Sequence, residues 1–259
     1  MEIFMPRFFT DGGSISEQNG KQYITISGDD AFHIARSLRM AVGESITVCD
    51  GKGNEYICRL ESITDSRAEA LVMESRVSSS EPSFFAYLFQ ALPKGDKLDT
   101  VIQKSVECGV SEIVPFESER CIVKVKPEAE ARKTERRRKI AEEAAKQCGR
   151  GAIPNVRNTV SFDQMLALAS QCDIKLFCYE AEDENSIKRA LEGAKQSLSE
   201  DKRPTVALIV GSEGGFSKKE LEAARAAGLV PVGLGKRILR TETASLFALS
   251  CLVYELDMP

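Results

Sequence analysis

Histidine is nearly missing from this chain of 259 residues, because His33 is its single example. One imidazole makes a histidine-based catalytic triad or a multi-histidine metal site hard to assemble, which removes much of hydrolase chemistry. Long apolar runs are missing too, since none approaches the roughly 20 residues that cross a bilayer. The first residues, MEIFMPRFF, have neither the basic flank nor the apolar stretch of a secretion signal. We therefore expect a cytoplasmic protein without a membrane span.

Paired cysteine spacing is also missing, although the chain contains 8 cysteines. No C-x-x-C pair occurs, and the spacings give no even disulfide framework. Common zinc sites need such pairs, so a structural zinc site is not expected. We interpret the cysteines as buried thiols in a reducing compartment. They are Cys49, Cys58, Cys108, Cys121, Cys148, Cys172, Cys178 and Cys251.

An excess of positive charge is absent, since the formal net charge is -4. A nucleic-acid binder, however, needs a positive local field rather than a positive total. Residues 132–139 (RKTERRRK) hold six basic residues and one acid, and residues 236–240 (KRILR) add three more. The first run is equally compatible with a solvated helix face and with RNA contact.

The first third of the chain alternates apolar and polar residues over short stretches, which predicts strands. These are YITIS, SITVCD, EYICRLESI and AEALVMES, between residues 22 and 75. The turn DGKGN at residues 50–54 predicts a hairpin, because glycine supplies the positive φ of tight turns. One short helix, capped by Asp29 or Asp30 and running through His33 to Arg39, interrupts the strands. A small β-barrel over residues 1–77 is expected.

The polar segment VSSSEP at residues 77–82 predicts a domain boundary, and a second domain over residues 83–259. Its first segment, FFAYLFQAL, is apolar enough for a strand covered on both faces. Strands then alternate with helices. The predicted strands are at residues 112–116, 174–179 and 205–210. One predicted helix ends at Gly109, and the others lie near residues 128–148, 163–169 and 186–198. This pattern predicts a mainly parallel sheet with helices on both faces. Such sheets bind ligands at the carboxyl ends of their strands.

Two glycine-bearing loops follow strands near the end of this domain. The first, VGSEGGFSKKE at residues 210–220, bends at glycines and then starts a helix with the capping-box pair Ser217 and Glu220. It has neither the lysine and hydroxyl of a P-loop nor a G-x-G-x-x-G fingerprint. The second, VGLGKRILRTETA at residues 232–244, leads into an apolar helix that must be buried and that Thr241 can cap. Each loop alone is also compatible with a simple strand-to-helix turn or a packing helix.

In this order the two loops resemble those of the SPOUT methyltransferases, and in particular the ribosomal RNA small-subunit methyltransferase E family. The segments that carry the resemblance are PRFF, His33 with Leu38 and Arg39, DGKG, LPKGDKLDTVIQKSVECGV, PFESERCIVK, EEAAKQCGR and LGKRILRTETA. The last is the most specific, because related ribose methyltransferases carry a serine-leucine-asparagine signature there. One departure is Ser212, where the family usually has proline in GPEGG; it puts cofactor affinity in doubt.

The resemblance implies a deep trefoil knot in the α/β domain, a PUA-like RNA-binding barrel, a homodimer and S-adenosylmethionine as the cofactor. No metal is implied. The implied cofactor residues are Tyr179, Glu180, Val210, Gly211, Ser212, Glu213, Gly214, Leu234, Gly235, Arg237, Ile238, Leu239, Thr241, Thr243 and Ala244. The implied RNA contacts are Arg7, His33, Arg36, Arg39, Lys94, Lys104 and Arg150, and the helix with Arg136, Arg137 and Arg138 could add phosphate contacts.

The implied reaction is methylation of N3 of a uridine in 16S rRNA of the small ribosomal subunit. That nitrogen bears a proton and is a poor nucleophile at neutral pH, so the site must favour the uridinate anion or remove the proton during attack. Arg240 is expected to stabilise negative charge on the uracil, and Glu242 or Glu213 to be the base. The alternatives are a ribosome-assembly factor without catalysis, suggested by Ser212, and a related methyltransferase that acts on another RNA position.

Overall fold

The computed structural model describes residues 5–10, 14–125, 127–182, 184–196, 198 and 202–258. The chain divides into two compact units. The first contains Met1–Glu81 and Ala145–Ile153, and the second contains Pro82–Ala144 and Pro154–Pro259. No helix in the described part of the chain is both long and apolar enough to span a membrane.

The first unit is built on one six-stranded sheet with the order β1-β4-β5-β6-β3-β2. Its pairs are antiparallel except for β1 with β4. Alternate residues of the strands, such as Ile24, Ile46 and Leu60, are fully buried in its core. The elements are β1 (Arg7–Phe9), β2 (Ile15–Gln18), β3 (Lys21–Ser27), α1 (Asp29–Phe32), β4 (Ser45–Cys49), β5 (Asn54–Ile63) and β6 (Arg67–Val77).

The predicted hairpin at residues 50–54 joins β4 and β5. The Asp50 carboxylate accepts hydrogen bonds from the backbone N–H of Lys52 and of Asn54, at 2.8 and 3.0 Å. Gly51 and Gly53 have φ of 71° and 108°, which a residue with a Cβ adopts only with strain. The hairpin prediction is confirmed.

The short helix differs from the prediction at both ends. Its N-cap is Gly28, and Asp29 and Asp30 lie in the first turn, so the predicted aspartate cap is wrong. Their carboxylates there still favour the positive end of the helix. After Phe32 the chain continues as one π-helical turn over His33–Ser37, and Arg39 follows with a positive φ of 52°.

A buried carboxylate organises the end of β6. Glu55 accepts hydrogen bonds from Arg7 at 2.9 Å, Arg76 at 2.6 Å and Ser78 at 3.3 Å. Burial alone would raise the pKa of Glu55, but the two arginines lower it below its ordinary value. Ser78, in the segment predicted as a linker, is thus part of the first unit.

Residues 145–153 also group with the first unit, whereas the predicted ranges put them in the second domain. Ala152 forms a β-bridge with Gly51, and Arg150 pairs with Glu81 at 2.6 Å. Contacts between residues so far apart in the chain are invisible to a linear pattern.

The second unit contains a seven-stranded sheet whose pairs are all parallel. The strand order is β10-β8-β7-β12-β11-β13, and β9 pairs with β8. The elements are β7 (Phe85–Ala91), α2 (Lys97–Glu107), β8 (Glu112–Glu117), α3 (Pro127–Cys148), β9 (Asn155–Val156), β10 (Val160–Ser161), α4 (Phe162–Ala169), β11 (Ile174–Cys178), α5 (Ile187–Lys195), β12 (Thr205–Val210), α6 (Lys218–Ala226), β13 (Val230–Val232) and α7 (Thr241–Leu256).

The predicted alternation of strands and helices is confirmed, including Gly109, which follows α2 with a φ of 84°. Two short strands, β9 and β10, were not predicted, because two-residue strands have no readable period. The central strand β12 is buried from Val206 to Val210, as expected of a strand covered on both faces.

The last helix, α7, is less buried than its composition predicts. Ala248, Leu249 and Leu252 are buried, and α7 contacts α2, α5 and β12. Phe247 and Tyr254 are exposed, Tyr254 to 72%. The expectation of complete burial is therefore wrong for this chain taken singly.

Candidate functional site

Four loops meet at one edge of the parallel sheet, because the carboxyl ends of parallel strands point the same way. Residues 92–96 follow β7, residues 179–186 follow β11, residues 211–217 follow β12 and residues 233–240 follow β13. β7, β12, β11 and β13 are consecutive neighbours in the sheet. The two glycine-bearing loops, which are separate in the sequence, therefore lie side by side.

The loops after β11, β12 and β13, together with Lys97 of α2, line a cavity of about 400 Å³, within the size range of sites for small molecules and cofactors. Both glycine-bearing loops, the end of β11 and the start of α7 contribute to its wall. The lining residues are Lys97, Cys178, Tyr179, Glu180, Val210, Gly211, Ser212, Glu213, Gly215, Phe216, Leu234, Gly235, Lys236, Arg237, Ile238, Leu239, Arg240, Thr241 and Ala244.

The predicted cofactor residues all line this cavity except Gly214 and Thr243. Gly214 instead packs against Arg120, whose guanidinium donates to its carbonyl at 3.0 Å, and Thr243 is exposed on α7. Arg240, the predicted catalytic cation, lines the cavity. Glu242 does not line it, but its carboxylate lies 3.9 Å from the ammonium group of Lys97, which does.

A buried polar network behind the cavity joins β7, the loop after β12 and α7. Gln90 donates to Thr241 Oγ1 at 2.9 Å, and Thr241 Oγ1 donates to the carbonyl of Gly211 at 2.6 Å. Ser245 donates to Gln90 Oε1 at 2.5 Å. Gln90 and Ser245 are both completely buried. A fully satisfied network of this kind holds its members in one arrangement, so the loop and the helix start are fixed together.

Gln90 and Ser245 were not predicted as site residues. The signal for Gln90 was a single amide in the otherwise apolar run FFAYLFQAL. The predicted role of Thr241 as the helix cap is wrong: Arg240 occupies the N-cap without a side-chain hydrogen bond, and Thr241 is the first helical residue. The Thr241 hydroxyl instead donates its hydrogen to the carbonyl of Gly211.

The first glycine-bearing loop is tied to the loop after β7 through Glu213. The Glu213 carboxylate accepts from Lys97 Nζ at 2.6 Å and from the backbone N–H of Lys94 at 3.2 Å. Burial alone would raise the pKa of Glu213, but these hydrogen bonds and the lysine charge lower it below its ordinary value. Lys97 lies between Glu213 and Glu242, so its single positive charge offsets part of the negative charge of the two carboxylates.

The other side of the same loop is held by the segment after β8. The capping box predicted for α6 is confirmed, since Ser217 accepts from the Glu220 N–H and the Glu220 carboxylate accepts from the Ser217 N–H. Glu220 also accepts from the backbone N–H of Glu119 at 2.8 Å, and Ser217 donates to the Glu119 carboxylate at 2.8 Å. The loop is therefore preorganised on both sides.

Gly215 is required by geometry. Its φ is 60°, and a Cβ there would lie 3.3 Å from the carboxylate of Glu180. A larger residue would be strained and would push Glu180, which lines the cavity.

Two buried polar atoms at the site have no hydrogen-bond partner among the described residues. Ser212 Oγ belongs to the cavity wall, and Glu242 Oε2 lies near Lys97, which lines the cavity. In the described chain, the backbone groups of residues 234–239 make no backbone hydrogen bonds either. Buried polar groups in proteins are almost always paired, so the two buried side-chain atoms indicate a polar ligand. The backbone groups of residues 234–239, none of which is a buried residue, are available to the same ligand. The site therefore fits a polar cofactor.

Two chemistries are disfavoured by the residues present. Burial, together with the neighbouring Cys251, raises the pKa of the Cys178 thiol to about 12, so this lining cysteine is protonated and not a nucleophile at neutral pH. Among the described residues, no group of three or more His, Cys, Asp or Glu side chains could hold a metal ion.

The two basic runs differ in their partners. In residues 132–139, here the basic helix, Arg136 pairs with Asp99 at 2.6 Å, Arg137 pairs with Glu130 at 3.5 Å and Arg138 donates to the carbonyl of Val156. In residues 236–240, here the basic loop, the cations of Lys236, Arg237 and Arg240 are exposed, and no ion pair or hydrogen bond joins them to any described residue.

The predicted RNA contacts are scattered over both units. In the first unit, Arg7 and Arg150 are largely buried in pairs with Glu55 and Glu81, at 2.9 and 2.6 Å. His33, Arg36 and Arg39 are exposed, and Arg36 pairs with Asp65.

In the second unit, Lys94 is exposed beside Glu213, and Lys104 pairs with Glu107 at 2.8 Å. Neither residue lines the cavity. The exposed members of the predicted set are thus better placed for RNA than Arg7 and Arg150.

Comparison with known proteins shows which families this chain matches. Residues 80–253 match the RNA methyltransferase domain family, and residues 26–73 match the RNA methyltransferase PUA domain family. The chain is 36% identical over 234 residues to ribosomal RNA small subunit methyltransferase E of Bacillus subtilis (strain 168), covering 90% of this chain and 91% of that protein.

Solved structures agree with this match. The crystal structure of ribosomal RNA small subunit methyltransferase E from Neisseria gonorrhoeae, bound to S-adenosyl methionine, is similar with a TM-score of 0.79 and 30% identity, covering 96% of this chain and 97% of that one. A Legionella pneumophila protein in complex with the cofactor SAM is similar with a TM-score of 0.80 and 32% identity, covering 97% and 98%.

Proposed function

Because the chain belongs to the ribosomal RNA small subunit methyltransferase E family, we propose that it methylates N3 of a uridine in 16S rRNA with S-adenosylmethionine. The observation that carries the proposal is the cavity between the two glycine-bearing loops, which is lined by the unpaired buried hydroxyl of Ser212 and by Arg240. When bound, the cofactor supplies an electrophilic methyl group. The cofactor residues are those predicted from the sequence, with Gly214 and Thr243 contributing through loop conformation and helix start rather than through the wall.

The residues of the cavity have separable roles. The guanidinium of Arg240 has no hydrogen-bond or ion-pair partner among the described residues. It is therefore free to bind a uracil carbonyl and stabilise the negative charge that develops there. Glu242, with one unpaired carboxylate oxygen, takes the N3 proton. Glu213 is already engaged by Lys97 and Lys94, so it holds the loop and is not the base.

Several features extend the proposal. The C-terminal part of the second unit forms the trefoil knot, and the exposed apolar residues of α7, including Phe247 and Tyr254, pack in a homodimer. The first unit, with its PUA-type match, binds RNA through exposed residues such as His33 and Arg39. The protein acts in the cytoplasm and uses no metal.

The deciding experiment measures cofactor binding and methyl transfer separately. Titration calorimetry with S-adenosylmethionine tests binding, and mass spectrometry of rRNA from small subunits of a deletion strain, before and after incubation with the protein and cofactor, tests transfer. We expect binding and a new N3-methyluridine signal. Binding without transfer would point to another RNA position, and no binding would favour a ribosome-assembly factor without catalysis.

A further inference from the structure

The basic loop presents an unusual combination of side chains. Lys236 and Arg237 are exposed cations without a partner among the described residues, and the next residue, Ile238, is an aliphatic side chain exposed to 86%. All three line the rim of the cavity. The loop thus places two unpaired positive charges and one apolar surface at the entrance through which a methyl acceptor must pass.

Unpaired RNA has matching chemistry. It offers a phosphate at every nucleotide and, where it is unstacked, an apolar base face beside it. Lysine and arginine bind phosphates, whereas an aliphatic side chain gains by covering a base. A duplex would hide its base faces, so it would leave the surface of Ile238 exposed.

We propose that the basic loop is the docking element for the unpaired RNA strand: Lys236 and Arg237 bind phosphates next to the target nucleotide, and Ile238 packs against the face of a neighbouring base. The inference rests on the proposed function and deepens it. The main chain of the same loop still serves the cofactor, because its backbone groups are unpaired while the Ile238 side chain points into solvent. The basic loop then brings the methyl donor and the methyl acceptor together.

A second copy of the chain is a less suitable occupant. A two-fold contact through this loop would bring the same three cations of both copies together, which repel each other. Charge complementarity therefore selects a polyanion.

The test uses the full chain and a fluorescein-labelled oligouridine of about 12 nucleotides, long enough to cover one single-strand site. Fluorescence anisotropy gives the affinity over a series of KCl concentrations. For Lys236→Ala with Arg237→Ala we expect the slope of log affinity against log salt to fall by about 1.4, because each phosphate contact on a single strand contributes roughly 0.7. For Ile238→Ala we expect about fivefold weaker binding with an unchanged salt slope, because an apolar contact is lost.

The matched control removes two exposed cations from the basic helix, as Arg132→Ala with Lys139→Ala. We expect its salt slope to stay close to that of the wild type. Equal loss of slope in both double variants would overturn the proposal, and so would an unchanged affinity of Ile238→Ala.

Two further outcomes keep the inference separate from the proposed function. If Ile238→Glu changes the molar mass measured by light scattering, the loop contacts a second copy and the docking proposal is wrong. If the wild type fails to methylate small subunits, the proposed function fails, whereas methylation by the wild type with normal RNA binding by the loop variants overturns the docking inference alone.

Discussion

The basic helix and the basic loop differ in how much of their charge is paired, since three arginines of the helix have partners and no cation of the loop has one among the described residues. Arg136, Arg137 and Arg138 of the helix contact Asp99, Glu130 and Val156, and burial lowers the pKa of Arg137. The cations of the loop have no such contacts in the described chain. A run of positive residues therefore indicates nucleic acid only when the fold leaves the charges unpaired, because a paired cation has little field left to offer.

The largest effect is expected at the loop's last residue. Replacing Arg240 with alanine should lower the turnover number by about 100-fold or more, as loss of a preorganised donor to a developing anion does. The affinity for S-adenosylmethionine, measured by calorimetry, should change little. Arg240→Lys should recover part of the rate, since it keeps the charge without the planar fork.

If Arg240→Ala turned over at nearly the wild-type rate, the loop cation would not act in the reaction. The difference between the two basic runs would then concern binding alone.

The next effect tests the helix. Arg137→Met should lower the free energy of unfolding by about 2 kcal/mol, because it leaves the half-buried Glu130 carboxylate without its cation. Chemical denaturation measures this change, and Arg132→Met, at an exposed position of the same helix, is the control with an expected change near zero. If Arg137→Met kept full stability but bound RNA more weakly, Arg137 would be an RNA contact rather than a structural cation, and the contrast with the basic loop would fail.

A smaller effect is expected from the anchor of the loop. Thr241→Val keeps the shape but removes the hydroxyl that links Gln90 to Gly211. We expect about tenfold weaker binding of S-adenosylmethionine, because the variant loses two buried hydrogen bonds that position the loop. Thr100→Val, at an exposed position of α2 that does not line the cavity, is the matched control. Equal affinities for the two variants would show that the network does not hold the pocket.

The smallest effect concerns Lys97, a paired cation that also lines the cavity. Its hydrogen bond keeps the pKa of Glu213 below its ordinary value of 4.5, although burial acts the other way. A lowered pKa in the folded state means that the stabilisation is present above pH 4.5 and is lost as the pH falls through the folded value.

In Lys97→Met this loss should begin at higher pH, seen as an earlier fall in melting temperature between pH 7 and pH 4. Lys188→Met, which breaks an exposed pair with Glu192, controls for a general charge effect. Superimposable pH profiles of Lys97→Met and the wild type would remove Lys97 as a support of the loop.

Much of the fold was predictable because its signals are local. The hairpin at residues 50–54, the capping box of Ser217 and Glu220 and the apolar strand β12 all follow from residues within a few positions of one another. Errors arose where a distant group competes for a side chain. Thr241 was expected to cap its own helix, but Gly211, thirty positions earlier, accepts its hydrogen.

The residues of the candidate site also fall into two groups, those that a local pattern identifies and those that only the fold brings together. Its two glycine-bearing loops were recognisable, and most of their residues line the cavity. Lys97, Gln90 and Ser245 were not identified, because their roles exist only once β7, β12 and α7 are side by side. Arg7 and Arg150, which are predicted RNA contacts, lie in largely buried ion pairs that no local pattern reveals.

The amino-acid sequence by itself determined which segments become strands, helices and glycine turns, since periodicity, caps and positive φ act over short distances. Tertiary structure alone decided which charges stay free. Whether a cation meets a carboxylate or solvent depends on what the fold brings within a few ångströms, and that separated the basic loop from the basic helix.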